Sequence, residues 1–218
     1  MTTTFTLFET IQRIVRDELR HLHSAELAIV QSQHPHASTS DKDNYACTVV
    51  LRNSGIVLKQ VPVATPHIGT ASIPNVGDLV LVQFIGGDLN APVITGSLYT
   101  DTARPPISEA HQLVWHLPLG ANEDDAIQLN VQSGDTRQIT LSLGSGLKLD
   151  VKDDDPVVTL TIDGGKATLQ IDRDGAVMLE SQGDLTFKGN KITLEGQSQL
   201  DLKGGTVNIK GQPMVNIN

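Results

Sequence analysis

The last 50 residues of the chain repeat one unit: two apolar residues separated by a single residue, then a glycine or polar turn, then the pair again. The pairs are Leu169/Ile171, Val177/Leu179, Leu185/Phe187, Ile192/Leu194, Leu200/Leu202, Val207/Ile209 and Val215/Ile217, stepping by 8, 8, 7, 8, 7 and 8 residues. A spacing of two puts both members of a pair on one face of a strand, and Gly175, Gly183, Gly189, Gly196, Gly204 and Gly211 mark the bends. Each expected strand is short and apolar on one face only, so a single chain has little with which to cover it. Single-chain solenoids use longer coils, and the calcium-binding nonapeptide type needs a Gly-Gly-x-Gly-x-Asp consensus that this chain lacks. Three copies wound about one axis satisfy the pattern, with every short strand paired to neighbouring chains and the apolar pairs filling a triangular interior. The pattern therefore predicts an intertwined homotrimeric β-prism. An ordinary antiparallel sheet of short strands is the alternative.

Composition narrows the functional classes. One Trp, two Tyr and four Phe in 218 residues leave little for a stacking platform that would hold sugars or unpaired bases. The formal charge of −9 per chain becomes 3 × −9 = −27 in a trimer, which repels phosphate backbones. Nucleic acid is thus not expected as a partner. Cys47 is the lone cysteine and suits a reducing cytosol as a buried thiol. With neither a basic-then-apolar start nor a run of 18 apolar residues, the sequence predicts a soluble protein made in the cytoplasm without a signal peptide.

Along the chain, Thr6-Leu7-Phe8-Glu9 fits a capping box and predicts a helix of about 17 residues. Leu7, Phe8, Ile11, Ile14, Val15, Leu19 and Leu22 form its apolar stripe, which must cover either this chain's own barrel or a partner. From Glu26 to Tyr99, five or six apolar, largely β-branched runs predict a small closed barrel. Gln31 through Asn44 reads as a mobile polar loop. Residues 100–125 read as a connector carrying Arg104-Pro105-Pro106, with Trp115 anchoring it against something apolar. Alternation resumes at Ile127/Leu129/Val131, Ile139/Leu141/Leu143, Leu147/Leu149/Val151 and Val158/Leu160/Ile162, longer strands that form the shoulder of the prism. The expected organisation is a helix over 1–24, a barrel over 25–99, a connector over 100–125 and a trimeric needle over 126–218.

Pro74-Asn75-Val76-Gly77-Asp78-Leu79-Val80-Leu81-Val82-Gln83-Phe84, followed by Gly86-Gly87-Asp88-Leu89-Asn90-Ala91-Pro92-Val93-Ile94-Thr95-Gly96-Ser97-Leu98-Tyr99, resembles the phage baseplate assembly protein V family. That family is related to the VgrG-like spike proteins of type VI secretion and other contractile injection systems. The glycines allow tight bends at both ends of a buried strand, and Pro92 begins a strand where no donor is needed. The resemblance implies an all-β protein with one N-terminal helix: an OB-type barrel followed by an intertwined, trimeric triple-stranded β-helix. It implies a structural, non-enzymatic spike at the baseplate of a phage tail or injection particle, piercing an envelope when the sheath contracts. Some members hold iron through a His-x-His pair near the tip. This chain instead ends Gly211-Gln212-Pro213-Met214-Val215-Asn216-Ile217-Asn218, so no tip metal or other cofactor is expected. Such an end resembles members capped by a PAAR-repeat protein, with Met214, Val215, Asn216, Ile217 and Asn218 as the seat. The short chain also implies a separate hub protein.

Other candidate chemistry is weak. His34 and His36 are alternate histidines able to chelate, but they fall in a polar loop far from the needle. His21 and His23 diverge on a helix, while His67, His111 and His116 are isolated. Glu123-Asp124-Asp125 and Asp153-Asp154-Asp155 sit beside turns with no aromatic wall to form a hydrolytic cleft. No nucleophile elbow or phosphate loop is present, and no catalytic residue is assigned. The rival function is a tailspike-type β-helix that binds or depolymerises carbohydrate, which calls for an aromatic, acid-lined groove. A third, nucleic-acid binding through the barrel, calls for a basic face.

Overall fold

The structure, a computed structural model, describes residues 6–21 and 24–210, with side chains left undescribed at 17–21. The last apolar pair, Val215/Ile217, the whole Met214–Asn218 segment, Leu22 and His23 lie outside the described residues, as do the side chains of Leu19 and His21. The chain is mostly β with one short helix and divides into two compact units. One contains residues up to 110 together with 114–122; the other contains 111–113 and the residues from 123 onward.

In the first unit, α1 runs Leu7–His21. The capping box forms as expected: the Thr6 amide donates to Glu9 Oε2 at 2.8 Å, and the Glu9 amide donates to Thr6 Oγ1 at 3.3 Å. Donation to the Glu9 carboxyl from the Thr6 amide first, and from the Thr6 hydroxyl at 3.0 Å, holds it below its usual pKa. Five strands follow: β1 Ala25–His34, β2 Ala46–Leu51, β3 Val57–Pro62, β4 Leu79–Phe84 and β5 Pro92–Leu98. Their order is β3-β2-β1-β4-β5, with antiparallel ladders. The expected closed barrel is a partly open one, because β3 and β5 meet through a single parallel bridge, Val63 to Ile94, rather than a ladder. The Ala64 amide donates to the Ile94 carbonyl at 2.8 Å beside it.

Alternation sorts the barrel's side chains. Ala28, Val30, Cys47, Val49, Leu51, Val61, Val80, Val82, Phe84 and Ile94 point inward and are at most 4% exposed. The Cys47 thiol is among them, its pKa raised by burial and then by the nearby Asp78 charge. The conformation at Gly77, with φ +94°, turns the chain into β4 so that its amide bonds the Val30 carbonyl at 2.9 Å. Asp78 Oδ2 locks the same turn by accepting from the Asn75 amide at 2.7 Å. The Gly-Asp motifs read from the sequence are therefore bends that carry buried strands, not chemistry.

Two local expectations change. Gln31–His34 belongs to β1 rather than to a loop, because a bulge between Val30 and Ser32 lets these residues keep pairing with Ala46–Thr48. The stretch expected to be a featureless connector contains β6, Gln112–Leu117, whose alternation was masked by flanking prolines. Trp115 on it is 58% exposed, so it does not anchor the connector against an apolar surface among the described residues.

The second unit is an antiparallel meander in chain order: β7 Ile127–Ser133, β8 Arg137–Leu143, β9 Leu147–Lys152, β10 Val158–Ile162, β11 Ala167–Ile171 and β12 Val177–Ser181. Ahead of β7, the His111 carbonyl accepts from the Ser133 amide at 3.0 Å. Gly144, with φ +55°, must lack a side chain, since a Cβ there would run into the Asp124 carbonyl. No helix or strand is formed from 182 to 210.

Because the barrel core is small, one truncation inside it is costly. Ile94→Ala should destabilise the protein by about 2–5 kcal/mol, while Thr95→Ala on the outer face should stay within about 0.5 kcal/mol. Urea unfolding followed by far-ultraviolet circular dichroism checks the pair, and equal midpoints would refute the inward assignment of Ile94.

Candidate functional site

The two faces of the meander differ sharply. Strand register places Leu129 opposite Leu141, Leu141 opposite Leu149, Leu149 opposite Leu160, Leu160 opposite Leu169, and Leu169 opposite Leu179. A leucine row thus crosses all six strands. Beside it runs a β-branched row of Val131, Ile139, Val151, Val158, Ile171 and Val177 in the same register. These residues alternate with Asn130, Thr140, Asp150, Thr159 and Gln170, which therefore point to the other face.

The aliphatic face is partly exposed: Ile127, Ile139, Leu143, Val151, Val177 and Leu179 are 37–66% exposed. Ala126 is the one buried apolar residue in this unit among the described residues, at 1% exposure. The leucine row from Leu129 to Leu169 is half-buried by its neighbours, and Leu179 is exposed. A sheet with one apolar face stays in water only when a second layer packs on it, so this surface is the part of the molecule most in need of a partner.

Of the residues expected inside a trimer, Leu169 and Ile171 lie on β11 and Val177 and Leu179 on β12, joined by an ordinary intrachain ladder. That pairing was not expected of them; the alternation of β7–β10 continues unbroken through two further strands. Leu185, Phe187, Ile192, Leu194, Leu200, Leu202, Val207 and Ile209 follow on the ladder-free stretch and are each 51–64% exposed. The backbone groups of this segment find few partners in the chain beyond the Gln182 amide, which donates to the Lys166 carbonyl at 2.8 Å.

The opposite face and its turns are held by polar contacts. Asp150 Oδ1 accepts from Thr140 Oγ1 at 2.6 Å and from Gln138 Nε2 at 3.1 Å, and Lys148 Nζ sits 2.9 Å from Asp150 Oδ2. Burial opposes the Asp150 charge, but the bonds from Thr140, Lys148 and Gln138 outweigh it and keep the carboxyl below its usual pKa. At the sheet edge, Asp153 Oδ2 accepts from Arg137 Nε at 2.6 Å, which lowers the Asp153 pKa. Arg173 donates its amide to Asp155 Oδ1 at 2.7 Å and its guanidinium to the Asp153 carbonyl. The Asp153-Asp154-Asp155 cluster is therefore a clamp between successive hairpin turns.

The histidine pair is not brought together for chelation. His34 Nε2 meets Thr48 Oγ1 at 3.0 Å, while His36 Nδ1 meets Asp41 Oδ1 at 2.8 Å. Among the described residues, no group of three or more His, Cys, Asp or Glu side chains converges as metal ligands. No described helix is long and apolar enough to cross a membrane.

Residues 30–99, about a third of the 218-residue chain, match the family model of the Type VI secretion system/phage-baseplate injector OB domain. The match spans the barrel from Val30 in β1 to Tyr99 after β5, and so includes the Pro74–Tyr99 motif. The resemblance to baseplate spike proteins read from that motif holds. No curated protein matches the chain.

A depressed carboxyl pKa has a definite sign. The stabilisation due to Asp150 is present above the unfolded value of about 3.9 and is lost as pH falls through the lower folded value. Thermal unfolding between pH 7 and pH 2.5 should show Asp150→Asn less stable than wild type at pH 7, with a smaller loss on acidification. Parallel curves would place the acid-sensitive group elsewhere.

Proposed function

We propose, on the match of residues 30–99 to the baseplate injector OB domain, that the protein is the central spike of a contractile tail or injection-system baseplate. It works as a homotrimer whose needle pierces the target envelope when the sheath contracts. The observation that carries this reading is the aliphatic face of the β7–β12 sheet, partly exposed along its length and continued by exposed apolar pairs to Ile209. Three such faces turned toward one axis bury one another in a dry prism, and a threefold closed assembly leaves no face over. The ladder-free stretch from 182 supports the same arrangement, because its backbone donors and acceptors can pair with the two neighbouring chains. From there the needle is a triple-stranded β-helix.

The mechanism is mechanical. In a prism every interior strand is bonded to another chain on both sides, so shear or bending must break many hydrogen bonds together. The aliphatic interior excludes water, which keeps those bonds strong, and the polar clamps at Asp150 and Asp153 face outward on the loaded shaft. The match of the barrel to a structural baseplate domain favours a non-enzymatic role. A separate baseplate hub receives the barrel end, and a PAAR-repeat protein seats on Met214, Val215, Asn216, Ile217 and Asn218. Contact with the target membrane or envelope is by force rather than by recognition. Synthesis in the cytoplasm and assembly into the particle follow from this role.

The test is mass in solution. Wild type should scatter light as about 70 kDa, three times the 23.4 kDa chain. Leu194→Asp places three charges at one axis and should abolish the trimer, whereas Thr193→Asp on the outer face should not. A stable monomer, or a Leu194→Asp trimer, would overturn the reading. Mixed with a PAAR-repeat tip protein, the wild-type trimer should co-elute on size exclusion, and clean separation would remove the assigned seat.

A further inference from the structure

The apolar pairs that would fill the interior of a prism are interchangeable. Leu185/Phe187, Ile192/Leu194, Leu200/Leu202 and Val207/Ile209 repeat so closely that a copy displaced along the axis by one repeat would still bury them. Something outside the interior must therefore fix which repeat of one copy lies beside which repeat of the next. The residue that follows each pair is suited to do so. From β12 onward these residues are Glu180, Lys188, Glu195, Lys203 and Lys210, all exposed, and the sign of their charge alternates through the first four. They stand on the side away from the apolar pairs. On β12, Glu180 lies opposite Thr168 while Leu179 lies opposite Leu169. In the ladder-free stretch, Gln199 Nε2 donates to Asp201 Oδ1 at 2.7 Å and Lys203 Nζ sits 3.6 Å from Asp201 Oδ2, so side chains two apart share one side there as well.

We propose that these residues form an ionic ladder between copies, with Glu180 of one beside Lys188 of the next, Lys188 beside Glu195 and Glu195 beside Lys203, and that this ladder sets the register of the needle. This rests on the trimeric reading and names the side chains that decide how its copies align. When each chain advances by one face of a triangle per repeat, the strand lying against a given strand belongs to another copy and is one repeat earlier or later. β12 offers the first such edge, because β11 pairs with one side of it and no described strand with the other. Copies that wind in the same sense run parallel, about 4.8 Å apart, and bring equivalent positions side by side. Three of the four contacts in the row then join opposite charges, and Asp184 meets Lys191 in the row that precedes the pairs. Lys203 and Lys210 repel. A copy displaced by one repeat instead sets Glu180 against Glu180 or Glu195, and Lys188 against Lys188 or Lys203. Like charges facing across strands are destabilising, so repulsion selects one pairing from several that the apolar interior accepts.

Co-expression of two full-length variants with different affinity tags tests this, with trimer composition read by native mass spectrometry. One variant carries Lys188→Glu and the other carries Glu180→Lys with Glu195→Lys. Within either homotrimer the altered residues face like charges, whereas a mixed trimer restores opposite ones. Random assembly makes about three quarters of the trimers mixed; the ladder should raise that share above about nine tenths in dilute buffer and lose the excess in about 1 M salt. The same charge changes at exposed positions outside the needle, Lys59→Glu in one chain and Asp101→Lys with Asp135→Lys in the other, should assemble at random. Random assembly of the needle pair would overturn the proposal, as would an excess that the control pair matches, or failure of the needle pair to form any trimer while wild type does. A wild-type monomer would instead defeat the trimeric reading on which it rests.

Discussion

A single-layer sheet with one aliphatic face is the constraint on which everything else in this protein turns. The leucine row from Leu129 to Leu179 is a continuous strip of hydrocarbon made by backbone register. Leu129 to Leu169 are partly covered and Leu179 is 47% exposed, and full burial of the row needs a second layer. Burying a leucine completely is worth about 1.5–3 kcal/mol, so a row of six sets a strong drive toward association. The barrel contrasts with it. There the strands curve so that their inward faces meet, and ten residues form a core within one chain.

The two units thus apply the same two-residue alternation to opposite ends. In the barrel, bulges at Val30/Ser32, Cys47/Val49 and Leu81/Val82 bend the strands, and the apolar face is satisfied locally. In the meander, tight hairpin turns clamped by Arg137, Asp153, Asp155 and Arg173 keep the strands in a single antiparallel layer, and the apolar face stays open. The first unit buries its apolar face within the chain, and the second leaves its own partly exposed. Asp153 and Asp155, which the sequence placed beside turns, hold successive hairpin turns of the sheet.

Much of this organisation was legible from residue spacing. Thr6 and Glu9 announced the helix start, because a capping box is a local motif whose partners are three residues apart. The inward positions of the barrel followed from apolar runs at strand spacing, and Gly77-Asp78 marked a turn whose geometry needs those residue types. Other elements were hidden. β6 was missed between prolines, and the continuation of β1 to His34 depended on a bulge that no residue in Gln31–His34 advertises. The barrel's incomplete closure depended on where the chain after β3 meets Ile94, a contact between residues far apart in sequence.

Spacing alone determined that this chain makes short strands with one apolar face. That follows from the period of a strand, which is a property of the backbone and holds wherever the strand sits. Tertiary structure decided which strands pair within the chain, so that Leu169/Ile171 and Val177/Leu179 close the intrachain meander and the ladder-free stretch starts only at 182. It alone brought Val57, Val50, Ile29, Leu79 and Leu98 into one outer row, since register depends on bulges and turns that set which residues stand opposite one another.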